Sequence, residues 1–140
     1  MSRTTNVEAF DLALKRYGDE HIPGVMRDRV TVIALEGTKS LVEKTPRDRG
    51  YAKGNWQITL RQPASGEVDR LDPNPVGSSA GSPSMDEAER RMEDWTPGDF
   101  IWWHNGVPYI GKLEKGDEAR RPNLMLERTI THLRRWMASR

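Results

Sequence analysis

The sequence of 140 residues contains no cysteine. This excludes disulfide bonds, cysteine nucleophiles and thiolate metal sites, and it agrees with a reducing compartment. Apolar residues make up only 35% of the chain, and no apolar run approaches the ~18 residues of a membrane span. Residues 1–18 lack the pattern of a signal peptide. The length predicts a single domain over residues 1–140.

The chain also has little net charge, because its 22 lysines and arginines are nearly balanced by 21 acidic residues, which gives a formal net charge of +1. Residues 63–95 hold eight acidic side chains and three arginines, a balance of −5, so the remaining parts sum to +6. That excess is dilute, whereas a protein that reads nucleic acid concentrates its basic side chains on one helix or stripe. The charge pattern therefore argues against a DNA-binding or toxin–antitoxin protein.

Apolar spacing predicts long helices at both ends of the chain. The first apolar face is formed by Val7, Phe10, Leu14 and Tyr17. These side chains recur every three or four positions, and Gly18 is expected to end their helix. A second helix, interrupted at Pro23-Gly24, is predicted to end before Thr45-Pro46. The last helix is predicted to begin at Pro122, and its apolar face is formed by Leu126, Ile130, Leu133 and Met137.

Two segments have the alternation of strands. Residues 54–60 place Trp56, Ile58 and Leu60 on one face, and residues 99–104 form a second, aromatic strand. Between them, residues 63–94 are rich in proline, glycine and serine and then acidic, which predicts a long flexible loop with a short helix at residues 85–92. The fold class predicted is α+β, a small antiparallel sheet flanked by N-terminal and C-terminal helices.

Motifs of catalysis and of metal binding are missing from the pattern. The three histidines have no partner at metal-ligand spacing, and no glycine-rich phosphate loop is present. The acidic residues Asp86, Glu87, Glu89, Glu93 and Asp94 are interpreted as an exposed helix face. We therefore predict no catalytic, cofactor-binding or metal-binding residue. A remote alternative is a small hydrolase that uses His104 with Asp99 or Glu114.

Two joints connect these elements, and the first is TPRDRGYAKGNWQ. Pro46 disfavours helix at the residue before it, so the second helix should end there. Asp48 is expected to form an Asx-type turn toward Gly50. Gly50 and Gly54 permit backbone angles that other residues resist, and Trp56 is expected to anchor the following strand in the core. The second joint is formed by Asn105, Gly106 and Pro108.

Both joints together resemble a known family. TPRDRGYAKGNWQITL and the later IWWHNGVPYIGKLEKG are similar to paired motifs of the neck and tail-completion proteins of long-tailed (siphovirus-type) bacteriophages, related to the lambda-type minor tail protein Z. The matching positions are Thr45, Pro46, Asp48, Gly50, Asn55 and Trp56, then Asn105, Pro108, Tyr109, Leu113, Glu114 and Gly116. Arg47 and Arg49 depart from the residues common in that family. The resemblance covers nearly all the chain except residues 63–94.

The resemblance implies a structural virion protein of the head–tail junction, not an enzyme, with no cofactor and no membrane. It would be assembled in the host cytoplasm as a ring, by analogy a hexamer, that joins the tail tube to the head connector. The implied partners are further copies of the chain and tail-tube, tail-terminator or head-connector proteins. DNA would pass through the ring lumen without sequence-specific binding. An alternative is a tail-terminator ring subunit that caps tail length.

Contacts between ring subunits would use exposed charged and aromatic side chains. The candidates are Arg47, Asp48, Arg49, Lys53, Trp103, Tyr109 and Glu114. The two tryptophans at 102 and 103 point to opposite faces of a strand, so one can fill the core while the other meets a second layer or a partner. Burial of both within the monomer is the alternative.

Overall fold

The structure is a computed structural model of the chain and describes residues 3–46 and 50–139. The α+β fold class is confirmed, with a two-stranded antiparallel sheet. The helices are α1 Arg3–Arg16, α2 Ile22–Lys44, α3 Tyr51–Gly54, α4 Pro83–Met92, α5 Ile110–Lys115 and α6 Met125–Ala138, and the strands are β1 Gln57–Leu60 and β2 Ile101–His104. Among the described helices, none is both long enough and apolar enough to cross a bilayer.

The first two helices form one rod, because a π-helical turn at Tyr17–His21 joins α1 to α2. In this turn the Ile22 N–H donates to the carbonyl of Tyr17, five residues earlier. The predicted end at Gly18 and the predicted interruption at Pro23-Gly24 are therefore wrong. Pro23 lies at the start of α2, where its missing N–H costs little. The predicted end before Pro46 is confirmed, since Thr45 is extended with φ −81° and ψ 128°.

The sheet pairs Gln57 with His104 at one end and Leu60 with Ile101 at the other. Two clusters of buried side chains flank it. The first consists of Leu41, Val42, Ala52, Trp56, Leu113 and Met125. The second consists of Ala34, Ile58, Ala88, Met92 and Trp95. Trp103 packs against both clusters, so β2 links the two halves of the core.

The segment of residues 63–94 contains the predicted short helix as α4. Ala88 and Met92 of α4 are at most 1% exposed, so this segment supplies part of the core. The interpretation of its acidic residues as an exposed face is wrong for Glu87, which is 9% exposed. The flexibility predicted for residues 63–94 stays a prediction.

Helix α6 packs through a different face from the one its apolar spacing predicts. Leu126, Ile130 and Met137 are 44% to 50% exposed, whereas Met125 and Thr129 are buried. The Thr129 hydroxyl lies 2.8 Å from the Ser40 hydroxyl of α2. The buried face, which includes this polar contact, is therefore rotated by about one residue from the predicted one.

Candidate functional site

The N-terminal end of the long helix projects from the fold, and we call residues 7–22 the arm. Every side chain of the arm is exposed. Val7, Phe10, Leu14 and Tyr17, the predicted apolar face, are 54% to 64% exposed. An apolar face of this size in water marks a contact surface more often than an idle one.

The arm also carries charged side chains. Its charged residues are Glu8, Asp11, Lys15, Arg16, Asp19 and Glu20. None of these side chains forms a hydrogen bond or salt bridge with another described residue, although the arm's own Tyr17 and His21 rings stack at 4.6 Å. The arm therefore presents both an apolar face and unpaired charge to a partner.

The first joint is clamped against the chain that follows β1. Gly50 has φ +80°, and a Cβ there would lie 2.0 Å from the carbonyl oxygen of Asp72. The Asp72 N–H donates to the Gly50 carbonyl at 2.9 Å. Gly54 is needed for a different reason from the predicted one: its backbone angles are ordinary, but a Cβ would lie 2.3 Å from the carbonyl oxygen of Arg70.

Lys53 is buried, so its prediction as an exposed interface residue is wrong. Its Nζ donates to the carbonyl oxygens of Asn74, Pro75 and Ser78 at 3.3, 2.8 and 3.0 Å. A buried ammonium group needs such acceptors because it has lost its water. The side chain thereby fastens the segment after β1 to α3.

Arg70 is the central polar residue that the sequence reasoning missed. Its guanidinium donates to the carbonyls of Gly54 and Trp56 at 2.6 and 2.7 Å and pairs with Glu87 at 2.7 Å. The other oxygen of Glu87 accepts the Ile58 N–H at 2.8 Å. One ion pair therefore connects the joint, β1 and α4. No local spacing could identify it, because the two residues lie 17 positions apart in a polar tract.

The second joint contacts the first through a hydrogen bond. The Asn105 side-chain amide donates to the carbonyl of Ala52 at 2.8 Å and accepts the Val107 N–H at 3.2 Å. A Cβ on Gly106 would lie 2.0 Å from the carbonyl oxygen of Gly66. The second joint is thus the site of a close approach between two backbones, which explains why only glycine fits.

Two residues predicted to contact a partner form hydrogen bonds within the chain instead. Trp103 donates its indole N–H to the Thr38 hydroxyl at 2.9 Å, while Trp102 is the ring that remains 39% exposed. The Glu114 carboxylate accepts the backbone N–H groups of Leu126 and Glu127 at 3.0 and 3.4 Å. Glu114 therefore caps the start of α6, as an acidic side chain does well there.

Of the remaining predicted contact residues, Tyr109 lines a cleft. Arg47, Asp48 and Arg49 lie outside the described residues, so their predicted roles, including the Asx-type turn, stay predictions. The cleft has a volume of about 1090 Å³, and its lining includes Pro46, Tyr51, Leu71, Tyr109, Lys112, Arg120 and Arg121. Tyr109 also packs against the first core cluster, and Pro108 of the second joint is exposed.

Electrostatics in the cleft are mixed. The Tyr51 hydroxyl donates to Glu67, and this bond raises the pKa of the tyrosine. The basic side chains of Lys112, Arg120 and Arg121 are exposed. Such a rim suits a polar partner surface rather than a small apolar ligand.

The residues of the hydrolase alternative are not brought together. The Nε2 atom of His104 lies 3.1 Å from the Gly66 carbonyl oxygen. The Asp99 carboxylate accepts the Thr96 N–H at 2.9 Å and pairs with Arg61 at 3.0 Å. Glu114 caps α6. Within residues 3–46 and 50–139, no group of three or more histidines and carboxylates could hold a metal ion.

Comparison with known protein families, characterised proteins and solved structures finds no match to this chain.

Proposed function

We propose that the protein is a structural assembly subunit that belongs to the head–tail junction of a long-tailed bacteriophage. In this role it forms a ring that joins the tail tube to the head connector, as the resemblance of the two joints implies. The observation that carries the assembly role is the arm, a helix whose apolar face is open to water over residues 7–17.

Burial of the arm's apolar face by a partner would lower the free energy of the complex. Burial of a large apolar side chain contributes roughly 1.5–3 kcal/mol relative to its exposure in water. Four such side chains line one face, and no other part of the described chain covers them. A subunit contact that buries this face would therefore contribute favourable free energy that opposes the entropy cost of association.

The arm continues a helix that packs in the core of the body, so the body holds the arm in a fixed direction. The same rod that carries Phe10 in water carries Leu41 and Val42 in the core, where both are at most 1% exposed. A contact made by the arm is therefore oriented relative to the sheet and the cleft. Subunits with fixed, different contact surfaces can associate head to tail and close into a ring.

Electron microscopy of the purified protein mixed with tail tubes and head connectors tests this proposal. We expect rings at tail ends or at the neck. Protein that binds neither component would overturn it. In phage that lack the gene, we expect tails of normal length that fail to join heads; overlong tails would assign the tail-terminator role instead.

The arm is tested separately by matched substitutions. We expect the double variant Phe10→Asp/Leu14→Asp to keep the circular dichroism of the folded chain but to lose head–tail joining, because charge on the apolar face opposes burial. The control is Leu12→Asp, since Leu12 is also exposed (51%) but lies on the other side of the helix. Equal head–tail joining in both variants would remove the arm from the proposal.

A further inference from the structure

We propose that two copies of this chain pair through their arms, side by side and antiparallel, about a two-fold axis level with residue 12. The inference does not rest on the head–tail junction, since it concerns the purified chain alone. It follows from the order of apolar and charged side chains on the exposed helix.

The apolar face has the spacing of a helix–helix seam. Val7, Phe10, Leu14 and Tyr17 occupy alternating spacings of three and four, as the seam positions of a coiled coil do. In an antiparallel pair centred on residue 12, position n of one copy lies level with position 24 − n of the other. Phe10 is then level with the partner copy's residue 14, and Val7 with its residue 17. All four side chains of each copy enter the seam.

The charged side chains of the arm favour the antiparallel direction. Glu8, Asp11 and Lys15 lie on one flank of the apolar face, within about 60° of one another at 100° per residue. In the antiparallel register, Lys15 of each copy is level with residue 9 of the other, between Glu8 and Asp11. In a parallel pair this flank would instead lie beside the opposite flank of the partner copy, where the alanines at positions 9 and 13 offer no charge to pair with it. In the single chain these side chains form no ion pair with another described residue, so they are available to pair with a second copy.

The contact is isologous, because each copy uses the same surface. It is therefore distinct from a head-to-tail contact that closes a ring, and it leaves the cleft and the sheet of both copies accessible. Pairing would cover the apolar face of the free protein.

Sedimentation of the purified protein over a range of concentrations tests the pairing. We expect a monomer–dimer equilibrium. Lys15→Glu should weaken the dimer at least tenfold, because it makes the flank wholly acidic in both copies. The triple variant Glu8→Lys/Asp11→Lys/Lys15→Glu exchanges the signs and should restore the dimer. A monomeric wild-type chain, or a Lys15→Glu variant that dimerises like the wild type, would overturn the proposal.

Cross-linking tests the register independently, since the chain has no cysteine of its own. Ala13 lies at the edge of the apolar face, and in this register its two copies are offset along the axis by only about 3 Å. We expect Ala13→Cys to be linked into dimers by a short bifunctional maleimide. Leu12→Cys lies at the same level on the opposite face and should stay unlinked. Equal linking of both variants, or of neither, would contradict the register.

Discussion

The arm and the body of this protein use the same residue types in opposite ways. In the body, glycines at positions 50, 54 and 106 admit a neighbouring backbone so closely that a Cβ would lie 2.0 to 2.3 Å from a carbonyl oxygen. In the rod, Gly18 and Gly24 have nothing within 4 Å of the same position. Large apolar side chains fill two clusters in the body and lie in water along the arm. The described chain thus covers the two core clusters of the body but does not cover the apolar face of the arm.

The difference shows where each region obtains its stability. The body relies on contacts between residues distant in sequence, such as Lys53 with the carbonyls of residues 74, 75 and 78. The arm relies on local helical hydrogen bonds and on its continuity with α2. Substitutions should therefore have large effects in the body and small effects in the arm.

The largest effect is expected at Gly50. Gly50→Val forces a β-branched side chain into a left-handed conformation and against the Asp72 carbonyl, which should cost roughly 5 kcal/mol and leave much of the chain unfolded. Gly24→Ala is the control in the rod. It should stabilise the helix by about 0.5–1 kcal/mol. Urea unfolding of both variants decides; a folded Gly50→Val chain of wild-type stability would refute the clamp.

The second-largest loss of stability is expected when the buried ion pair of Arg70 and Glu87 is broken. Arg70→Ala leaves the Glu87 carboxylate without its cation and two carbonyls without their donor, which should cost about 3 kcal/mol. In Arg70→Ala/Glu87→Gln the penalty should be smaller than the sum of the single variants, because no unpaired charge remains. Strict additivity in thermal unfolding would show that the two side chains act independently.

Two leucines in the same rod give the most direct contrast. Leu41 is 1% exposed and Leu12 is 51% exposed. Leu41→Ala should cost about 3 kcal/mol, because it removes buried apolar surface and leaves a cavity. Leu12→Ala should change the free energy of unfolding by less than about 0.5 kcal/mol. Similar losses in denaturant unfolding would mean that the arm is packed.

Removal of the Lys53 ammonium should have a smaller effect. Lys53→Met keeps the length of the side chain but leaves three carbonyls without their donor, at a cost of about 2 kcal/mol. The segment after β1 should then be cut faster by a protease at residues 70–80. Lys39→Met, on an exposed position of α2, is the control and should be cut at the wild-type rate. Unchanged cleavage in both variants would contradict the fastening role.

The smallest effect concerns pH. The backbone hydrogen bond from Thr96, with Arg61 beside it, holds the pKa of Asp99 below its usual value. Because the folded pKa is the lower one, this carboxylate stabilises the chain above the unfolded pKa and loses that contribution as pH falls through the folded pKa. The stability difference between wild type and Asp99→Asn should therefore shrink toward zero on acidification. A difference that grows instead would give the pKa shift the opposite sign.

The existence of most elements could be predicted from the sequence because it depends on local period. The spacing of Val7, Phe10, Leu14 and Tyr17 specifies a helix, and the alternation at Trp56, Ile58 and Leu60 specifies a strand. The end of α2 before Pro46 is equally local. What the period does not determine is which face is covered, since that depends on a second element. For this reason the exposure of the apolar face of α1, and of three of the four predicted face residues of α6, did not follow from the spacing.

The polar contacts of the joints could not be predicted for the same reason. From the sequence alone, Lys53 and Arg70 are expected at the surface because they are charged. The path of residues 70–78 places both side chains inside, where they donate hydrogen bonds to backbone carbonyls. Gly50 was identified through its backbone angle, whereas Gly54 and Gly106 are needed because another backbone passes close by. Glu114 matched a motif of the resemblance, but its contacts assign it to the cap of α6.

The π-helical turn at Tyr17–His21 has a consequence for how the arm can evolve. Its hydrogen bond spans five residues, so the turn holds one residue more than an α-helical turn would. Deletion of a single residue there would let the rod become wholly α-helical while the arm keeps nearly the same direction relative to the sheet, because the wide turn accommodates its extra residue within about one turn. A residue could therefore be gained or lost at this point of the rod with little change in the direction of the contact surface.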